Sequence, residues 1–308
     1  MSDHKAILVT GGCGFIGSHI VDRLLGEGKK VVVLDDLSSG VLSNLNQKAI
    51  FYQGDVGDKI FVDKIFKQHQ FSCVIHQATR INNNTLYEEP SYDFHCSVSS
   101  TIVLAENCIR HNVDKLIFAS SVAVYGRTAD LPATEDSPIL PVSPYGISKY
   151  CAESYLRYFS VNCGLKYQIL RYVNVYGPRQ PIYGEVGEVA IYTDRTVKDE
   201  NPVIFGDGEH QRDYIYVSDI VGFTLHAITM DKSSIFNVGR GIPVTVNELF
   251  SLFKKYDINY KEAVRKPERY GKIGSLFCDI SSALATGWRW KVGLEEGIEK
   301  TISAFNGK

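Results

Sequence analysis

The sequence is most informative at first through what it lacks. None of its seven cysteines, Cys13, Cys73, Cys96, Cys108, Cys151, Cys163 and Cys278, belongs to a C-x-x-C pair. Their odd number, with no secretory leader recognisable ahead of them, argues against a disulfide framework and for reduced thiols in a cytoplasm. Neither sign of charge is in excess: 33 Lys plus Arg stand against 35 Asp plus Glu, a formal net charge of −2. That leaves no broad basic field for nucleic acid or for anionic lipid, so any bound phosphate must be held locally. Long apolar runs are missing too, and stretches such as Val31 to Leu34 fall far below the roughly 18 residues that suggest a membrane span. No cluster of His, Cys or carboxylates has zinc spacing, so no metal is expected, and His19 and His210 read as ordinary members of a helix and a polar loop.

What is present is an average globular composition, 44% hydrophobic and 22% charged, over 308 residues, which excludes a disordered or fibrous chain and gives length for one large or two joined domains. The first half alternates short β-branched runs with amphipathic stretches. Strands are expected at Ala6 to Val9, Val31 to Leu34, Ile50 to Tyr52, Val74 to His76, Leu116 to Ala119 and Gln168 to Leu170, with helices between them. Apolar runs without alternation mean strands buried on both faces, and the strand-helix-strand order demands right-handed crossovers. The expected fold is therefore α/β, a doubly wound parallel sheet over residues 1–175. Residues 176–308, punctuated by Gly and Pro around shorter elements, read as a smaller C-terminal α/β cap with some chain crossing back to the sheet. Helices are expected there near Val186 to Val197, Val217 to Thr229, Val246 to Tyr256 and Leu294 to Phe305. Ligands of such sheets bind at the carboxyl edge, between the two parts.

The first strand runs into Gly11-Gly12-Cys13-Gly14-Phe15-Ile16-Gly17 and then into an apolar helical stretch. Gly11 permits a tight turn, Gly14 lets backbone approach a pyrophosphate, Gly17 lets helix and strand pack closely, and the helix start offers free amides to the anion. Asp35 ends the second strand, where a carboxylate binds ribose hydroxyls. It would also repel a 2′-phosphate, and Asp36, Leu37 and Ser38 supply no cation to neutralise one, which favours NAD over NADP. Asp55 and Val56 follow the third strand. There Asp55 serves equally well as an adenine contact or as a turn carboxylate satisfied by its own backbone. Cys13 reads as a small residue packed beside the turn.

Tyr145 and Lys149 are spaced i, i+4 at the start of a helix and share one face. A phenol of pKa about 10 is a poor base at neutral pH, but an adjacent ammonium and an oxidised nicotinamide both favour its phenolate. The fifth strand ends in Ser120-Ser121, which sets hydroxyls at the carboxyl edge and makes Ser121 the natural third member.

In that order the motifs resemble an extended short-chain dehydrogenase/reductase, the NAD-dependent nucleotide-sugar epimerase/dehydratase family. The resemblance runs over nearly the whole chain: the glycine turn, Asp35, His76-Gln77-Ala78, Ser121, Tyr145 with Lys149, Arg171 to Arg179, and Gly206-Asp207-Gly208 leading to Arg212-Asp213-Tyr214. It implies a Rossmann domain with NAD held by Gly11, Gly14, Phe15, Ile16, Gly17, Asp35, Asp36, Ser38, Asp55, Val56, Gln77, Ala78, Tyr145 and Lys149. It also implies hydride transfer at a sugar carbon, usually C4, with Tyr145 as base, Ser121 sharing the hydroxyl and Lys149 bonding the nicotinamide ribose. Asn174, Arg179, Arg212 and Arg269 would meet a nucleotide-sugar substrate, the arginines as planar forks for phosphate. For Arg269 a surface ion pair is the competing reading. The helices expected over Tyr92 to Asn112 and Tyr145 to Asn162 carry surplus apolar residues, among them Leu104, Tyr155 and Leu156, and the family pairs such helices across a twofold axis, which implies a homodimer.

Three residues depart from the family pattern. Ser97 stands where Asn is usual, Thr79 where a second Ala is common, and Lys272 where the motif has an acid. A 4,6-dehydratase needs an acid-base pair where this chain has Val122 and Ala123, which cannot transfer protons, so dehydration is not expected. The segment from Asp35 to Gly40, with Arg179, most resembles 4-epimerases of UDP-hexoses. A nucleotide-sugar 4-dehydrogenase, for instance of a GDP-linked sugar, needs the same groups and is the alternative; a non-catalytic NAD sensor would have no need of Ser121, Tyr145 and Lys149 together.

Overall fold

Three consecutive valines, Val31 to Val33, suit a pleated strand, and hiding both of its faces requires helices on each side. The computed structural model, which describes residues 5–79, 90–128, 130–182, 187–256, 262–267 and 274–306, has that arrangement. β1 (Ala6–Thr10) leads to α1 (Phe15–Gly26), β2 (Val31–Asp35), β3 (Ile50–Gln53), α2 (Lys59–Gln68) and β4 (Phe71–His76). Then come α3 (Pro90–Phe94), a π-helical segment (His95–Ser99), α4 (Ser100–Arg110), β5 (Lys115–Ser121), α5 (Pro144–Cys163) and β6 (Lys166–Tyr172).

These strands lie in the order β3-β2-β1-β4-β5-β6, every neighbouring pair parallel. Strand order reverses direction at β1, so a crevice opens outside the carboxyl ends of β1 and β4. Alternation along each strand divides the core in two. Ile7, Val9, Val31 and Val33 face α1, whereas Ala6, Leu8, Val32 and Leu34 face the layer of α2 and α4 with Val62, Ile65 and Leu104.

The C-terminal part contains β7 (Asn174–Tyr176), α6 (Glu188–Val197), β8 (Val203–Phe205), β9 (Gln211–Tyr216), α7 (Val217–Ile228), β10 (Ser234–Val238), β11 (Pro243–Thr245), α8 (Val246–Phe253), β12 (Val264–Lys266), α9 (Ser281–Ala285) and α10 (Leu294–Asn306). Two small sheets, β11-β9-β7 and β12-β8, build the cap. The four C-terminal helices expected from sequence form with ends shifted by a few residues, Val186 lying outside the described residues.

Two expectations need correction. Sequence reading sets no strand at Ser234–Val238, yet β10 extends the large sheet beside β6, parallel to it, and α7 packs on α1. Its Phe236 and Val238 are buried, while β-branching is too sparse around them to announce a strand. The helix expected from Tyr92 to Asn112 is interrupted by the π-helical segment, which rotates the residues on either side of Ser97 relative to one another. Leu104 and Leu156 are fully buried against the sheet and are not available to a partner. The exposed apolar face of α5 is made instead by Ile147, Tyr155, Tyr158 and Val161.

Candidate active site

The nucleotide end is shaped by close approach. Gly11 has φ +67°, and a Cβ there would stand 2.7 Å from the Ala78 amide nitrogen; at Gly17 a Cβ would collide with the Gly11 carbonyl oxygen. Gly14 caps α1 without a side chain to bond its first amides, which leaves the helix start open to an anion, with Phe15 and Ile16 half-buried behind it. Asp35 is 5% exposed and accepts from the amides of Cys13 at 2.9 Å and Leu37 at 2.8 Å. Burial nevertheless raises its carboxyl above the ordinary range. Each oxygen retains acceptor capacity for a ribose hydroxyl, so these residues fit NAD.

The neighbouring carboxylates are engaged locally. Asp36 accepts from the Ser38 amide at 2.8 Å, and Asp55 from the Gly57 amide at 2.7 Å, with His95 Nε2 at 3.1 Å from its other oxygen. The Asp55 carboxylate thus makes a bond within its own turn. Val56 is buried beside it. Gln77 donates to the Tyr172 hydroxyl at 3.2 Å, and the Ala78 amide to the Thr10 hydroxyl at 3.3 Å. Burial pushes the Cys13 thiol up to about 12, which makes it an inert packing residue.

The chemical end brings the close of β5 against the start of α5. Ser121 caps a short 3-10 turn, Val122–Tyr125, its hydroxyl accepting from the Ala123 amide at 3.1 Å. Ser143 caps α5 through the Gly146 amide at 3.1 Å, and Pro144 sets the first turn. A Cβ on Gly146 would lie 2.6 Å from the Ala123 carbonyl oxygen, so glycine is what lets the helix start rest on that turn. The segments carrying Ser121 and Tyr145 are thereby pressed together.

Lys149, one turn beyond Tyr145, is 1% exposed. Its ammonium donates to the Ala119 carbonyl at 2.8 Å and lies 4.9 Å from the Phe118 ring centre and 5.6 Å from that of Tyr145. Burial lowers it to about 8, against the opposing pull of Asp93 and Glu153. His76 shares hydrogen bonds with the Thr10 hydroxyl at 2.7 Å and the Ser100 hydroxyl at 3.3 Å. Burial, with the charge of Lys149, drives the imidazole down to about 3, so it stays neutral.

Of the residues expected to meet the substrate, Asn174 Nδ2 donates to the Asp213 carbonyl at 3.2 Å, and Arg212 donates to the carbonyls of Gln211, at 2.9 Å, and Gly274. Arg179 pairs with Asp22 of α1 at 2.8 Å, beside a 2.9 Å hydrogen bond between His19 and the Pro178 carbonyl. Arg179 itself has a left-handed φ of +66°. Arg269 and Lys272 lie outside the described residues. Sequence reading missed Asp93, and it missed Glu153 and Arg171 as a buried pair. The i, i+4 row Tyr145, Lys149, Glu153 was the available signal for Glu153. Among the described residues no cluster of His, Cys, Asp or Glu could hold a metal, and no helix is long and apolar enough to cross a membrane.

The family model described as NAD dependent epimerase/dehydratase matches residues 7–239. The crystal structure of UDP-glucose 4-epimerase from Thermotoga maritima with UDP-glucose superimposes with a TM-score of 0.95 at 44% identity, covering 98% of this chain and 99% of that one. That of the Thermus thermophilus UDP-glucose 4-epimerase complex with NAD gives 0.92 at 37% identity, over 98% and 99%. The UDP-glucose 4-epimerase of Mycolicibacterium smegmatis is 35% identical over 98% of each chain.

Proposed function

The chain belongs to the NAD-dependent epimerase/dehydratase family, and from that membership we infer the reaction: it is an NAD-dependent nucleotide-sugar 4-epimerase. NAD bound there would supply a reversible acceptor for the hydride of sugar C4. The chain's own residues move the proton and hold the sugar. Tyr145 takes the proton of the 4-hydroxyl, Ser121 holds that hydroxyl, and Lys149 keeps positive charge beside Tyr145. The 4-keto sugar then presents its other face, and the same tyrosine gives the proton back. The observation that carries this reading is the buried ammonium of Lys149, fixed on the Ala119 carbonyl 5.6 Å from the Tyr145 ring centre, on the helix whose start rests against the turn capped by Ser121.

Asp35 selects NAD over NADP, with the glycine turn, Asp36, Ser38, Asp55, Val56, Gln77 and Ala78 around the same cofactor. A UDP-hexose is the substrate, its diphosphate held by Asn174 and Arg212 with Arg269, and the likeness to epimerases solved with UDP-glucose supports that choice. A dehydrogenase that releases the 4-keto sugar is not favoured. That none of the seven cysteines is in a disulfide supports a reducing cytoplasm. The exposed face of Ile147, Tyr155, Tyr158 and Val161 on α5 supports a homodimer built on that helix.

The test is to incubate the pure protein with UDP-glucose, UDP-galactose and GDP-mannose separately, following each by proton NMR and by NADH absorbance. A C4 epimer of a UDP-sugar without net NADH is expected. A 4-keto sugar accumulating with NADH would overturn the reading.

A further inference from the structure

The end of β5 runs past the end of β4. Pairing with β4 stops at Phe118, whereas pairing with β6 goes on to Ser121. From Ala119 to Ser121 the strand therefore has a ladder along one edge, and no strand among the described residues pairs with the other. Ser121, expected to hold the sugar hydroxyl, is the last residue of this overhang.

What else ties the overhang down comes from α5, the helix of Tyr145. The Lys149 ammonium donates to the Ala119 carbonyl at 2.8 Å, and the buried Ser120 hydroxyl donates to Glu153 at 2.5 Å. Ser120 stands opposite Arg171 in the register of β5 with β6, and Arg171 bonds both oxygens of that same carboxylate, at 3.0 and 2.7 Å. A cross-strand pair thus grips one carboxylate of the helix. The turn capped by Ser121 is anchored at its far end as well: the Tyr125 hydroxyl accepts from Arg171 at 2.8 Å and donates to Asn237 at 2.6 Å.

We propose that Ser120 is a positioning residue for epimerisation: by tying the overhanging end of β5 to Glu153, it sets the Ser121 hydroxyl in place against Tyr145; the inference rests on the function proposed above. Ser121 and Tyr145 belong to different elements, so their geometry depends on how the end of β5 sits on α5. A hydroxyl donating to a carboxylate makes a short, charge-assisted bond that suits such a fixing point. Ser120 shares its face of the strand with Phe118, in the layer that includes Ala152 and Leu156 of α5, so it acts through the backbone of Ser121.

The test is Ser120→Ala, which removes one hydroxyl and leaves the packing of β5. The kcat of epimerisation should fall about 10–100-fold, the loss that a misplacement of about 1 Å brings. KM and NAD affinity should stay within about twofold, because substrate and cofactor are held by other residues. Lys115→Met is the matched control, since it removes buried hydrogen bonds at the opposite end of the same strand; its kcat should equal the parent's. A kcat within about twofold of the parent in S120A, or an equal fall in both variants, overturns the proposal.

A second readout needs no turnover. Amide hydrogen exchange over residues 119–126, followed by mass spectrometry, should quicken about tenfold in S120A while α7 exchanges as in the parent. Unchanged exchange over 119–126, or equal quickening in α7, overturns the proposal. If the parent chain epimerises no nucleotide sugar, the proposed function fails while this comparison still decides what Ser120 holds.

Discussion

Arg171 and Glu153 are joined by two nearly parallel hydrogen bonds of 3.0 and 2.7 Å, both side chains out of solvent. Glu153 also takes the Ser120 hydroxyl, next in sequence to Ser121, and lies one turn beyond Lys149. The pair therefore ties the helix that carries the proposed base to β6, while the Ser120 bond ties it to β5, the strand that ends in Ser121. Removing one member strands a buried charge, which costs about 3–5 kcal/mol. Arg171→Met should accordingly lower unfolding free energy by that order in a urea titration. A loss under 1 kcal/mol would mean that the pair is dispensable.

The proposed base is tested by Tyr145→Phe. The ring and its packing remain while the transferable proton is lost, and proton transfer by a positioned side chain contributes about 10²–10⁴-fold in rate. Turnover should fall within that range while NAD binding, measured by calorimetry, is retained. Near-normal turnover would move the chemistry to another residue.

Lys149 makes opposite predictions for activity and stability. Burial holds it at about 8 in the folded chain, below the usual 10.5. Activity that needs the ammonium should fall as pH rises through about 8. Between about 8 and 10.5 the unfolded chain binds a proton here that the folded chain does not, so stability attributable to Lys149 rises with pH over that window. The difference in Tm between the parent and Lys149→Met should grow in the parent's favour from pH 8 to 10. A constant difference would contradict the lowered value.

Much of this site was legible in sequence, for identifiable reasons. Glycines in a turn, an acid at a strand end and a Tyr-Lys pair one helical turn apart are local patterns, and the doubly wound sheet follows from short apolar runs that take turns with helical stretches. What escaped depended on distant parts of the chain. β10 joins the large sheet after the cap has begun, and Arg179 pairs with Asp22 on the distant α1. The buried charges of Asp93 and Arg171 look like surface residues in a sequence, and for Glu153 only the i, i+4 row from Tyr145 hints otherwise.

Asp35 has a structural duty besides the proposed cofactor contact. Asp35→Ala orphans the amides of Cys13 and Leu37, each worth about 1–3 kcal/mol when left unsatisfied. NAD affinity should fall about tenfold or more, the equivalent of one good hydrogen bond, and thermal stability should fall with it. Weaker binding with unchanged Tm would mean that the two amides find other partners.

Lys115 offers a control far from the chemistry. At the opposite end of β5 from Ser121, its ammonium donates to the carbonyls of Ala227 at 3.1 Å, Ile228 at 2.8 Å, and Met230, closing the C-terminus of α7. Lys115→Met should cost about 1–3 kcal/mol of stability, as expected for unsatisfied helix-end carbonyls, and leave kcat at 25 °C unchanged. A large fall in kcat would couple α7 to the site.

The central claim is that one hydride leaves C4 and returns to the same carbon on the opposite face. The most direct measurement uses UDP-glucose deuterated at C4, with proton NMR of the UDP-galactose formed. Deuterium retained at C4, with no NADH accumulating, is the predicted result. Protium at C4, or release of a 4-keto sugar with matching NADH, would contradict the account.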